Sequence, residues 1–168
     1  MPESDVLNRL ASHLEVWRGV TFLLIEAMGL WLFVSGLMAL AGREQSRGRV
    51  CATLAAGALM LNVPGLLDAL AQTFFAQNSA QALSYHPPAH AAASYVRFAV
   101  LLVNLTGLAG VGRGLYLLKR TAGEGGGLPR ALVHIVGGVL CVNIVEFIKL
   151  LAVSAGGQVE AVTNAVLG

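Results

Sequence analysis

Charge is scarce in this sequence: Asp, Glu, Lys and Arg make up 12% of its 168 residues, about half the share found in ordinary soluble domains. Aromatic residues are also few, at 7%, while 56% of the chain is hydrophobic and the mean hydropathy is strongly positive. So little charge cannot clothe a water-exposed surface, which excludes an ordinary soluble domain and makes a membrane the expected solvent. The two cysteines, Cys51 and Cys141, form no Cys-x-x-Cys or Cys/His spacing. That argues against a zinc site or a disulfide framework, and both are expected as buried, inert thiols. A basic leader is missing as well, because Met1-Pro2-Glu3-Ser4-Asp5 is polar and acidic; the first apolar segment is therefore expected to be retained.

Glycine is abundant, at 20 residues. Small residues let helix backbones approach where lipid supplies no hydrophobic drive. The expected fold is all-α: an integral membrane four-helix bundle made of two repeated hairpins, with a short interfacial helix at the N-terminus. Spans are expected at residues 17–41, 50–75, 95–118 and 131–155, each long enough for a hydrocarbon core of roughly 30 Å. Ahead of them, Leu7, Leu10, Leu14 and Trp17 recur at spacings of three or four, as in an amphipathic helix lying at the interface; a plain extension of the first span fits equally. Pro64 beside Gly65 is expected to bend the second span. In domain terms the chain reads as one membrane domain over 1–168, with a first hairpin at 1–76, a periplasmic loop at 77–94 and a second hairpin at 95–168.

Loop charge orients the chain. The first connection carries Arg43, Glu44, Arg47 and Arg49, the third carries Lys119, Arg120, Glu124 and Arg130, and the second has no Lys or Arg. The positive-inside rule places loops one and three in the cytoplasm and both termini in the periplasm of a bacterial inner membrane. Arg43, Arg47, Arg49, Lys119 and Arg120 are then candidates for lipid headgroup contacts. His86 and His90 in the second loop read as solvated residues rather than metal ligands. The glycine run from Gly123 to Gly127 lacks the Gly-Lys-Ser/Thr ending of a phosphate loop.

A motif occurs twice. Gly57-Ala58-Leu59-Met60-Leu61-Asn62-Val63 and Gly138-Val139-Leu140-Cys141-Val142-Asn143-Ile144 share Gly-x-Leu-x-x-Asn and a β-branched residue, and each follows a Gly-Leu pair, Gly36-Leu37 or Gly114-Leu115. The intervals from pair to motif are 21 and 24 residues, so two copies of one hairpin differ by a loop three residues longer. Because each copy has two spans, the repeat is parallel. Gly57, Asn62, Gly137, Gly138 and Asn143 are the expected helix-packing residues, with the asparagines bonding to neighbouring helices. Glu26, Asp68, Glu146 and Lys149 are expected as intramembrane charges: Glu146 pairing with Lys149, and Glu26 and Asp68 meeting Arg18 or Arg97. The alignment sets Asp68 against Lys149 and Glu26 against Asn104. His134 and Ser35 have no evident catalytic partner, so no enzyme, cofactor or metal is expected.

The segment from His134 to Val145, His-Ile-Val-Gly-Gly-Val-Leu-Cys-Val-Asn-Ile-Val, resembles the IcmC/DotE family of type IVB secretion systems, with its relatives DotV and TraQ. The resemblance extends more weakly through Gly36-Leu37, the basic first loop and residues 57–64. Glu146 and Lys149 depart from the family's pattern, in which a small or neutral residue commonly follows Asn-Ile-Val. The resemblance implies a non-enzymatic inner-membrane structural component of a secretion or conjugal transfer apparatus. Its partners would be membrane lipids, other subunits of that apparatus and further copies of itself, with no direct nucleic-acid binding. Two apolar helices around a short basic loop also resemble the pilins of conjugative systems, which implies an alternative life in an extracellular, lipid-bearing pilus. A small oligomeric ion or proton-coupled transporter, with Asp68 as its carboxylate, is a further alternative.

Overall fold

The computed structural model describes residues 2–42, 46–75, 93–121 and 127–155. These form six helices: α1 (Pro2–Gly42), α2 (Arg47–Leu61), α3 (Val63–Phe75), α4 (Ala93–Thr121), α5 (Leu128–Val142) and α6 (Ile144–Ala155). His86, His90 and the glycines before Gly127 lie outside the described residues.

α1 is one unbroken helix of 41 residues, about 60 Å long at 1.5 Å per residue. The separate interfacial helix expected at its start is not there; that stretch extends the first span. After Pro2 no proline interrupts the backbone donors of α1, and the helix runs on through residues 5–17. The expected apolar stripe is not what docks this end either, because Leu10 and Trp17 are exposed and the small Ala11 is fully buried. Further along the same end, Arg97 Nη2 of α4 donates to Glu15 Oε1 at 2.5 Å. Both partners are partly open to their surroundings, so Glu15→Gln should shift the unfolding free energy in detergent by less than about 1 kcal/mol. A larger loss would mean that this ion pair anchors α1.

α2 packs on α1 and α5 on α4, each pair linked by a short connection, and α4 also lies against α1 and α2. The arrangement makes α4 the central helix: half of its most apolar window is buried, against 22% for α1. Leu32, Met60, Val111, Leu115 and Val139 are fully buried at the heart of the core. Outside it, α1 presents Leu23, Leu24, Leu30, Trp31, Val34 and Met38 to its surroundings. A helix so apolar on its exposed side suits lipid rather than water.

The second and fourth expected spans are not continuous. α2 and α3 meet at 88° and α5 and α6 at 85°, so the chain has two long apolar helices and two bent pairs that could each be a membrane span. Pro64 is not the pivot. The first break falls at Asn62, and Pro64 is the second residue of α3, where its missing N–H would have had no helical partner. The second break, at Asn143, involves no proline. α2 and α5 have 15 residues each, about 22 Å, and neither alone crosses a core of roughly 30 Å.

Candidate functional site

The two breaks are the most unusual feature of the molecule, and the glycines position both. A Cβ on Gly29 would lie 2.6 Å from Met60 Cβ and 3.0 Å from Leu61 N; one on Gly107 would lie 2.7 Å from Cys141 Cβ and 2.8 Å from Val142 N. From the other side, a Cβ on Gly57 would meet Phe33 N at 2.7 Å and Gly29 O at 3.0 Å, and one on Gly138 would meet Val111 N at 2.7 Å and Gly107 O at 2.6 Å. Gly36 lies against Leu54 as Gly114 lies against Ile135. Every correspondence on α1 and α4 is 78 positions apart and every one on α2 and α5 is 81. The hairpins thus cross at the same contacts, with only glycine able to occupy the crossing.

Gly29 and Gly107 were missed from sequence, although the spacing that pairs Gly36 with Gly114 also pairs them. Gly137, expected at a helix contact, has nothing within 4 Å of where its Cβ would lie. It is turned about 100° around α5 from the crossing that its neighbour makes.

The asparagines do not bridge helices as expected. Asn143 is buried, and both its backbone N–H and its side-chain Nδ2 donate to Val139 O, at 3.0 and 2.9 Å. It closes the end of its own helix. Asn62 is exposed and folds over the first turn of α3, so that a Cβ on Gly65 would lie 2.7 Å from its side-chain oxygen. The residue that crosses between helices is Asn104, which is 4% exposed. Its side-chain nitrogen, in the orientation that satisfies both ends of the amide, donates to Cys141 O and Val142 O at 3.0 Å each. The bend takes away the amides that would have met these carbonyls, and Asn104 replaces them. The signal for it in the sequence was a lone amide in the apolar middle of α4.

Charged residues are dispersed. Glu146 and Lys149 pair at 3.9 Å on α6, beside an open groove of about 250 Å³ lined by Phe75, Leu150, Val153 and Ser154. Glu26 is exposed and Asp68 half-buried; Arg97 bonds Glu15 rather than either of them. Arg47 and Arg49 are exposed in the first turn of α2, and Lys119 Nζ sits 5.5 Å from the centre of the Trp31 ring, a cation–π contact. Arg43 and the side chain of Arg120 lie outside the described residues. Cys51 is exposed and Cys141 half-buried, so the expectation of two buried thiols fails, although Cys141 Cβ stands at the crossing with Gly107.

The side chains considered for catalysis are tied to their own helices. His134 Nδ1 lies 2.8 Å from Arg130 O, and Ser35 Oγ donates to Leu32 O at 2.8 Å. Among the described residues no three His, Cys, Asp or Glu side chains gather where a metal ion could sit. The arrangement offers one sealed break, one open break and a basic end. No protein-family model, curated protein or solved structure matches this chain.

Proposed function

We propose that the protein is a non-enzymatic structural subunit of a bacterial inner-membrane transfer apparatus, of the type IVB secretion or conjugation kind, built from two copies of one hairpin. The observation that carries this reading is the recurrence of the same glycine-mediated crossing in both halves, with the second break sealed by Asn104. Such a unit is a packing block: close helix contacts fix its shape, and the exposed apolar length of α1 is left for lipid, further copies or other subunits. The resemblance of residues 134–145 to the IcmC/DotE family names the class of machine. Loops one and three face the cytoplasm in this reading, with Arg47 and Arg49 at the headgroups. Deletion of the gene should abolish transfer of the protein or DNA–protein substrate, and affinity purification should bring down other membrane subunits. Intact transfer with the protein purified alone would overturn the proposal.

One observation favours a second reading, a small oligomeric ion or proton-coupled transporter. Broken helices at corresponding positions of two repeats are where transporters place their sites, and this chain has such a pair. On that reading Asp68→Asn or Glu26→Gln abolishes flux into proteoliposomes, and unchanged flux in both removes it.

A further inference from the structure

The two breaks share a backbone design but not a closure. At the second, Asn104 donates to the carbonyls of Cys141 and Val142. The corresponding carbonyls at the first belong to Met60 and Leu61, and the residue 78 positions before Asn104 is Glu26. The backbone there is placed alike: Gly29 packs on Met60 and Leu61 as Gly107 packs on Cys141 and Val142, and Glu26 stands three residues before Gly29 as Asn104 stands before Gly107. Pro64 has no N–H, so Met60 O lacks its ordinary helical donor even without the bend. Among the described residues Glu26 makes no hydrogen bond or ion pair and is exposed.

We infer that Glu26 is a proton-operated counterpart of Asn104. An ionised carboxylate has only acceptor atoms and is repelled by a carbonyl oxygen, whereas the protonated acid carries one O–H donor. Protonated Glu26, whose side chain is one methylene longer than that of asparagine, bonds Met60 O or Leu61 O and holds the α2–α3 bend as Asn104 holds the α5–α6 bend. Ionised Glu26 leaves the carbonyls unpaired and the first bend free to change its angle. The proton comes from the surrounding water.

Among the described residues few other titratable groups lie near Glu26, in the middle of α1. Gly112 lies against Ile25, which brings Arg113 and Tyr116 of α4 to the level of Glu26. Asp68 is on α3, Cys51 is the nearest such group to Met60 along α2, and Arg18 is two turns away on α1 itself. Asp68, the other carboxylate beside the break, serves as the control.

The inference rests on the break alone and holds for either function, so a distance measured on the purified protein tests it apart from any transfer assay. Spin labels are placed at Leu23→Cys on α1 and Thr73→Cys on α3, both exposed positions, in a Cys51→Ser, Cys141→Ala background reconstituted in nanodiscs. Lowering the pH from about 8 to about 3, below the ordinary carboxyl range, should convert a broad distance distribution into a narrow one. Glu26→Gln should give the narrow distribution at every pH, and Asp68→Asn should respond as the parent does. A distribution that ignores pH, a pH response that survives Glu26→Gln, or one that follows NaCl at fixed pH would each overturn the inference.

Discussion

Replacing Gly138 by leucine should prevent α4 and α5 from closing, and even Gly138→Ala should cost about 2–3 kcal/mol, the upper part of the range for overpacked sites. The nearest neighbours of the added Cβ are two main-chain atoms, Gly107 O at 2.6 Å and Val111 N at 2.7 Å, and one side-chain atom, Val111 Cγ2 at 2.7 Å. Rotation of the Val111 side chain would leave both main-chain contacts in place, so the helices must separate along the crossing. In lipid that separation forfeits the packing that holds helices together, because burial from water contributes little there. Gly57→Ala should behave alike, since Phe33 N and Cα would lie at 2.7 and 2.9 Å. Gly137→Ala is the internal comparison: it adds the same methyl group one residue away, into open space, and should change stability by no more than about 1 kcal/mol, in the stabilising direction through helix propensity. Unfolding in mixed micelles with increasing dodecyl sulfate measures all three. Equal effects at Gly137 and Gly138 would mean that the crossing is not where the structure has it.

Asn104→Leu should be the most disruptive single change that adds no bulk. Leucine fills nearly the same volume but leaves Cys141 O and Val142 O without the donors they now have at 3.0 Å. A buried unsatisfied carbonyl costs roughly 1–3 kcal/mol, while interhelical hydrogen bonds measured in membranes average nearer 0.6 kcal/mol because other partners are found. For two carbonyls held at a fixed bend, the expected loss is about 1–4 kcal/mol. Amide exchange at residues 144–147 should rise with it, since the start of α6 is fixed by the same geometry. Asn143→Ala removes one bond within its own helix and should cost less, about 1 kcal/mol. A neutral Asn104→Leu would show that the second bend is held by the core alone.

These two residues also mark what could be read from the chain. Gly57 and Gly138 stood out because they recur in a matched motif, and their crossing is where that motif places it. Asn104 carried no such mark: its partner in the other half is a glutamate, so the repeat concealed the role that the pair exposes. The asparagines inside the motif were read as bridges between helices because a polar group in an apolar run needs a partner. The partner lies within four residues for Asn143, which sequence cannot distinguish from one on a neighbouring helix.

The breaks show the same limit. Residues 50–75 and 131–155 are apolar on average and long enough to span, and length with hydropathy gives no sign of bends of 88° and 85°. A proline drew attention to the first, two residues from the true pivot, and nothing drew attention to the second.

By itself the sequence determined the solvent and the plan: too little charge for water, apolar runs of helical length, basic residues in alternate connections and one hairpin written twice. These are additive properties, summed over a run or compared between runs. Only the tertiary structure decided where the helices break, which glycines are crossed and which amide replaces the lost backbone bonds, because the crossings bring together backbone from distant parts of the chain with no room for a Cβ, and Asn104 reaches carbonyls 3.0 Å away on another helix.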